Sequence, residues 1–329
     1  MSDPRVREQA SREQHASSRE PDADTLRIVS LLPSATEIIC ALGAGERLVG
    51  VSHECDFPEL VRRLPSLTRS RIDAHGSSGA IDAAVREVIH GALSLYAVDE
   101  RLLGALAPDV VVTQDLCEVC AVSLDDVRAA VARLSRRDDV QIVSLQPTRL
   151  EHVFGDIERV ARALGRPQAG HEVRRALEGR VHAIAQRAGA LPSRPRVVSV
   201  EWLEPLMLGG TWMPDLIELA GGAAAGASAG EPAPTVSARE LAALAPEVIV
   251  VKPCGFSLER ALGERALIER ALARATALGA RVYVTDGSAY FNRPGPRLVE
   301  SLEIMAACVH PFAFGDLRAK HELVIRELA

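Results

Sequence analysis

Aromatic side chains are scarce, at 3% of the 329 residues, so the few rings that fall in loops carry more information than usual. Positive charge is not in excess either. Lys+Arg 38 against Asp+Glu 44 leaves a formal charge of −6, which offers no electrostatic footprint for nucleic acid or anionic lipid. No run approaches the ~20 apolar residues of a spanning helix, so no membrane insertion is expected. Six cysteines, at 40, 55, 117, 120, 254 and 308, are too few for a disulfide scaffold in a chain this long, and Cys40 and Cys308 sit in apolar runs as small core residues. Residues 1–25 alternate charges of both signs without an apolar core, and read as a solvated, disordered tail. As written the chain stays in the cytoplasm; a misassigned start codon would make it periplasmic. There is no nucleophile elbow, no phosphate-cradling Gly-x-x-x-x-Gly-Lys, no dinucleotide fingerprint and no His-Glu-x-x-His, which leaves catalysis without positive support.

What is present is an alternation of short β-branched runs with helical patterns, the mark of parallel strands joined by crossover helices. Strands are expected at Arg27–Leu31, Leu48–Val51, Asp109–Thr113, Gln141–Leu145, Arg196–Val200, Glu247–Val251 and Arg281–Thr285. Ser123 and Asp126 resemble a capping box opening a helix over Leu124 to Leu134. The passages LGALAPDVVVTQ, from Leu103, and LAALAPEVIVVK, from Leu241, look like copies, which predicts two similar α/β lobes. The expected organisation is a tail to 25, a first lobe over 26–149, linking helices over 150–192, a second lobe over 193–315 and a C-terminal tail over 316–329. Within the linker, Gln168 to Arg187 predicts a helix of roughly 30 Å at 1.5 Å per residue, a strut that sets the cleft between the lobes. The small-residue stretch Gly221 to Pro234 reads as a surface loop with no packing signal.

Ligands of open parallel sheets bind at the carboxyl ends of the strands. Here those ends carry Ser52-His53-Glu54-Cys55-Asp56-Phe57, then Gln114-Asp115-Leu116-Cys117-Glu118-Val119-Cys120, then Glu201-Trp202, with Trp212 following. Lys252-Pro253-Cys254-Gly255-Phe256 and Asp286 to Arg297, which includes Tyr290, Phe291, Asn292 and Arg293, complete the set. Flat apolar groups with a few polar ones suit a large, partly planar organic ligand. Trp202 and Trp212 are expected to face the cleft. Arg293 and Arg297 flank a Pro-Gly-Pro turn that suits a bidentate contact to a ligand phosphate or carboxylate, with Arg297 the more structural of the two. Lys252, one of only two lysines, reads as a solvated rim residue. His53, Cys55, Cys117 and Cys120 could converge as a soft site for zinc, iron or cobalt, and small residues packing a turn are the competing explanation. A metal-dependent enzyme using those ligands, with Glu54 or Glu118 as general base, is the rival class.

The runs RIVSLLPSATEIICALGAGERLVGVSHECDFP, PRVVSVEWLEP, VSARELAALAPEVIVV and YFNRPGPRLVESLE, with the repeated Leu-Ala-Pro unit and the long middle helix, resemble the helical-backbone (class III) substrate-binding proteins of ABC importers. The likeness is greatest to the vitamin B12 binders, with iron-siderophore and haem binders as relatives. It implies a non-enzyme of two Rossmann-like lobes that holds cobalamin or a related corrinoid in the interlobe cleft, acts as a monomer and partners an ABC permease. It further implies that Glu54 stands where a tyrosine stacks on the corrin, that Asn292 replaces an acid in the aromatic loop, and that a tryptophan expected near Ala233 is missing. The acids that dock on the permease are matched by Arg101 and Arg239, with Glu100 and Glu240 one residue away. Those displacements make a cytoplasmic cofactor carrier an equal alternative to an importer subunit.

Overall fold

The computed structural model describes residues 25–90, 95–114, 128, 131 and 140–328. The expected disordered tail, the helix at Leu124 to Leu134 and the segment Asp115 to Cys120 lie outside the described residues or almost so.

All seven anticipated strands form and run parallel to one another within two sheets, the first wholly parallel and the second with antiparallel strands added. In the first, β1 (Ile28–Ser30) is flanked by β2 (Leu48–Val51) and followed by β5 (Val110–Gln114) and β6 (Gln141–Leu145), in the order β2-β1-β5-β6. Every residue of β1 and β5 is buried, as expected of strands covered on both faces. Helix α1 (Pro33–Ala41) crosses from β1, entered by a proline that costs its first turn no hydrogen bond. Between β2 and β5 the chain makes an excursion through β3 (Thr68–Ser70), α2 (Ser78–His90) and β4 (Tyr96–Val98), with β3 and β4 antiparallel, and returns through α3 (Glu100–Leu106).

Helices α4 (Leu150–Ala163) and α5 (Pro167–Gly189) form the linker. At 23 residues α5 is about 35 Å long. It is not a bare strut: Leu177, Ile184 and Ala188 join an apolar core continuous with the first sheet and α4. A Cβ on Gly170 would stand 2.5 Å from that of Ala161, so glycine is what permits the close α4–α5 approach.

The second sheet centres on β7 (Arg196–Leu203). The strands β8 (Leu206–Leu208), β9 (Ala223–Ala224), β10 (Val248–Val251), β11 (Arg281–Thr285) and β12 (Ile325–Leu328) complete it in the order β12-β11-β10-β7-β8, with β9 also on β7. Its helices are α6 (Met213–Leu219), α7 (Ala238–Ala243), α8 (Leu258–Gly263), α9 (Arg265–Thr276), α10 (Leu298–Val309) and α11 (Gly315–Lys320). The repeated unit folds alike in both halves. Asp99 caps α3 and Ser237 caps α7, and eight residues after each cap a left-handed alanine, Ala107 (φ 41) or Ala245 (φ 48), turns the chain into the proline and the next strand. Asp109 then accepts from the Arg27 amide and Glu247 from the Arg196 amide.

Two expectations of organisation are corrected. Residues 316–329 are not an appended tail, because 325–328 pair antiparallel with β11 and close that edge of the sheet. The Gly221 to Pro234 stretch is packed: it contributes β9, and a Cβ at Gly226 would meet Leu208 and Leu244 at 2.5 Å. Small residues here serve close approach, which a composition-based reading takes for slack. No helix among the described residues is long and apolar enough to cross a membrane.

Candidate functional site

The turn after β2 and the turn after β11 meet. Arg293 Nη1 pairs with Asp56 Oδ1 and stands 3.5 Å from Glu37 Oε1, and its Nη2 lies 3.5 Å from the Glu54 carbonyl. Arg297 grips Glu37 with both ends of its guanidinium, at 2.6 and 2.9 Å, and stacks 4.1 Å from the Phe57 ring centroid. Gly295, between the prolines of this turn, lets the backbone approach Ser34 at the start of α1. The carboxyl ends of the two sheets are thereby brought to one place by a charged clamp of two acids from one half and two arginines from the other. Burial raises the Glu37 carboxyl above its ordinary value, against the pull of Arg297 and Arg293. Partial burial acts the same way on Asp56, but Arg293 outweighs it and holds that group below the usual carboxylate range. Arg293 is therefore committed to protein acids, and the bidentate ligand contact expected of it is corrected.

Beside the clamp an exposed group is presented by the β2 turn and β4. His53 donates its amide to Thr68 Oγ1, its Nδ1 lies 2.7 Å from the same hydroxyl, and its ring stands 5.2 Å from Tyr96. Tyr96 donates its hydroxyl to Glu54 at 2.8 Å. Partial desolvation lowers the His53 imidazole, and the Glu54 carboxylate opposes that. Tyr96 was not anticipated, although a tyrosine in so ring-poor a chain is a usable signal. It places an aromatic ring beside Glu54.

On the second lobe, Trp202 is half-buried at the end of β7, edge-on to Phe256 at 5.4 Å, with its Nε1 donating to the Glu204 carbonyl. Lys252, expected on a solvated rim, is instead buried and donates to Glu201 at 3.0 Å, the carboxylate that compensates its charge at the end of a buried strand. Cys254 is exposed at the turn after β10. Asn292 and Tyr290 are half-buried, the Asn292 amide lying 3.5 Å from the Pro253 carbonyl and the Tyr290 ring 5.6 Å from the Arg297 guanidinium.

Several other anticipated positions are core. Trp212 is 8% exposed and donates Nε1 to the Phe291 carbonyl at 3.0 Å, so its polar edge is satisfied inside the protein. Phe291 and Phe256 are fully enclosed, and Phe256 carries the Arg260 guanidinium 3.9 Å over its ring. Gln114 is buried at the end of β5. Cys55 is buried 3.1 Å from Thr36 Oγ1, and burial pushes its thiol up to about 11. It is a core residue whose thiol is turned to Thr36 on α1, whereas the His53 side chain is exposed on the other side of Glu54 in sequence. Cys117, Glu118 and Cys120, like the binding candidates Asp115 and Leu116, lie outside the described residues. Among the described residues no three His, Cys, Asp or Glu side chains gather as a metal site. Glu240 is held by Ser237 in a capping box, while Arg239 beside it is exposed.

Residues 28–288 match the family described as periplasmic binding protein. A vitamin B12-binding protein of Yersinia pestis (strain Pestoides F) is 23% identical over 235 residues, covering 68% of this chain and 69% of its own length. Among solved structures, a periplasmic haem-binding protein from Pseudomonas aeruginosa superposes with a TM-score of 0.65 at 21% identity, covering 92% of this chain and 95% of that one. The periplasmic vitamin B12 binding protein of Vibrio cholerae does so at 0.60 and 20% identity, over 89% and 99%. With its two largely parallel sheets, the helical linker between them and this match across most of its length, the chain belongs to the periplasmic binding protein family.

Proposed function

We propose that the chain binds a corrinoid, cobalamin or a close analogue, between its two lobes and releases it unchanged, as the ligand-capturing component that serves an ABC permease. The observation that carries this reading is the chemistry of the surface around the clamp. His53, Glu54 and Tyr96 on one side, with Trp202, Tyr290 and Asn292 on the other, offer rings and both hydrogen-bond donors and acceptors. The cations of these turns, Arg293, Arg297 and Lys252, each already hold a carboxylate. A haem presents two propionates and asks for unspent positive charge, whereas a corrin presents neutral amides that need mixed donors and acceptors. The surface therefore favours the corrin. His53, with its Nε2 free of the Thr68 contact, is the residue proposed to approach the cobalt.

Titrating the purified protein with hydroxocobalamin, and in parallel with haemin, tests this. Stoichiometric uptake of hydroxocobalamin with a changed absorbance spectrum is expected, weakened when His53 is replaced by alanine. Uptake of haemin alone would overturn the choice of ligand. Tightly held zinc with neither chromophore bound would instead favour the metal-dependent enzyme.

A further inference from the structure

The excursion between β2 and β5 does not stay with its own lobe. Its base is bonded to β2: the Leu67 amide donates to the Val51 carbonyl at 2.8 Å and the Asp99 amide to the Leu67 carbonyl at 2.7 Å. Its far part, Arg71 to Val88, lies on the second lobe at the carboxyl ends of β7 and β10. Ile81 enters the apolar cluster of Val200, Leu203, Leu206 and Phe256, with Ile72 and Val85 half-buried at its margin. The Ser78 amide, at the N-terminus of α2, donates to Glu264 Oε1 at 2.7 Å, a carboxylate well placed for the positive end of that helix. Arg260 donates to the Ala74 and Gly76 carbonyls while stacked on Phe256. Gly79 lies so close to Glu204 that an added Cβ would come within 2.7 Å of its carboxylate.

The segment thus bridges the ligand-facing edges of both sheets and, through Ile81, shares an apolar cluster with Phe256. Its hold on the second lobe is slight compared with the lobe cores. Ile81 is the one strap side chain buried in that cluster, and the polar bonds to Arg260 and Glu264 are gathered in the strap's N-terminal half, on Ala74, Gly76 and Ser78. A contact of that size opens without disturbing either sheet, in the manner of lids that gate entry to a closed site.

We infer that Arg71–Val88 is a strap that gates the cleft, releasing Glu264 and Arg260 to admit ligand and re-engaging them over it. The inference rests on the binding function proposed above. A Cβ at position 79 would lie 3.4 Å from Glu204 Cγ, where a cysteine sulfur at 204 would stand, so the pair Gly79→Cys and Glu204→Cys, in a Cys254→Ser background, can lock the strap by a disulfide. With hydroxocobalamin as probe, the oxidised protein is expected to associate roughly tenfold or more slowly than the reduced one, and reduction to restore the rate. Equal rates in the two forms would overturn the gate. If neither form nor the native protein takes up hydroxocobalamin, the binding function fails, and the gate is judged by amide exchange of the native chain. Joint exchange of the amides over 78–88, faster than β7 and β10 and suppressed by the lock, supports it; exchange as slow as those strands refutes it.

Discussion

Glu37 and Glu303 are carboxylates with little exposed surface, at 3% and 6%, each set among cations, but Glu37 lies deeper in the protein and the two are shifted in opposite directions. Glu37 joins the lobes through Arg297 and Arg293, and burial is the larger effect, so its carboxyl is raised. Glu303, on α10, fastens the C-terminal segment to the linker. Burial acts on it first as well, but donors from Lys320 at 2.6 Å, His321 at 2.7 Å and Arg180 at 2.9 Å together prevail and hold it at about 2. Three separate donors converge on Glu303, and two of them, Lys320 and Arg180, keep much of their own hydration, so the pairing costs little on their side. Arg297, which carries most of the pairing to Glu37, is itself largely withdrawn from water. The sign of an ion pair's contribution follows from that balance of desolvation and donors, not from its distance.

Removing Arg297 is the strongest way to break the contrast. Arg297→Ala leaves the buried Glu37 carboxylate with Arg293, at 3.5 Å, as its remaining partner in the clamp and is expected to lower the free energy of unfolding by about 3 kcal/mol at neutral pH. Because the Glu37 carboxyl is raised, protonation relieves the poorly paired charge, and urea titrations at pH 7 and pH 5 should show the loss shrinking as pH falls. A loss that grows on acidification would refute the assignment. The second experiment concerns Glu303. Its folded-state value of about 2, below the ordinary 4.5, contributes stability that is present above pH 4.5 and disappears as pH falls toward 2. That contribution is up to about 3 kcal/mol, so Glu303→Gln should flatten the acid limb of the stability profile by roughly that amount. The smallest effect is sought at the open side of the clamp. Phe57 is 45% exposed, and losing its stack on Arg297 through Phe57→Ala should cost about 0.5–1 kcal/mol by the same urea titration. Combined with Arg297→Ala, the two losses should fall short of their sum, since both remove one contact.

The two tryptophans show how far local reading reaches. Both have glycine or proline neighbours and both were placed at the cleft, but Trp212 found the Phe291 carbonyl 79 residues away and went into the core, while Trp202 stayed half-buried at a strand end. Cys55 sits among His, Glu and Asp and so reads as a polar-turn residue, but its thiol points back to Thr36 on α1. Lys252 likewise follows a strand like a rim residue and is enclosed with Glu201. Glu37 left one trace, a lone acid in the apolar run of α1, that a buried partner would have explained. The seven parallel strands, by contrast, are legible to within about three residues, because a β-branched run bounded by turn residues is a local property, whereas the short β3, β4, β8, β9 and β12 carry too little of that pattern to be read.

By itself the sequence determined the parallel strands of the two sheets, the repeated helix, left-handed turn and strand unit, and the long linking helix, all written in the periodicity and punctuation of neighbouring residues. Only the tertiary structure decided which charges are spent on each other, which rings remain at the surface and where the excursion comes to rest. Glu37 and Arg297 are 260 residues apart, and Ser78 and Glu264 186 apart. A hydrogen-bond donor or a desolvated carboxylate takes its character from whatever group the folded chain brings within about 3 Å, and that proximity has no counterpart in local order along the chain.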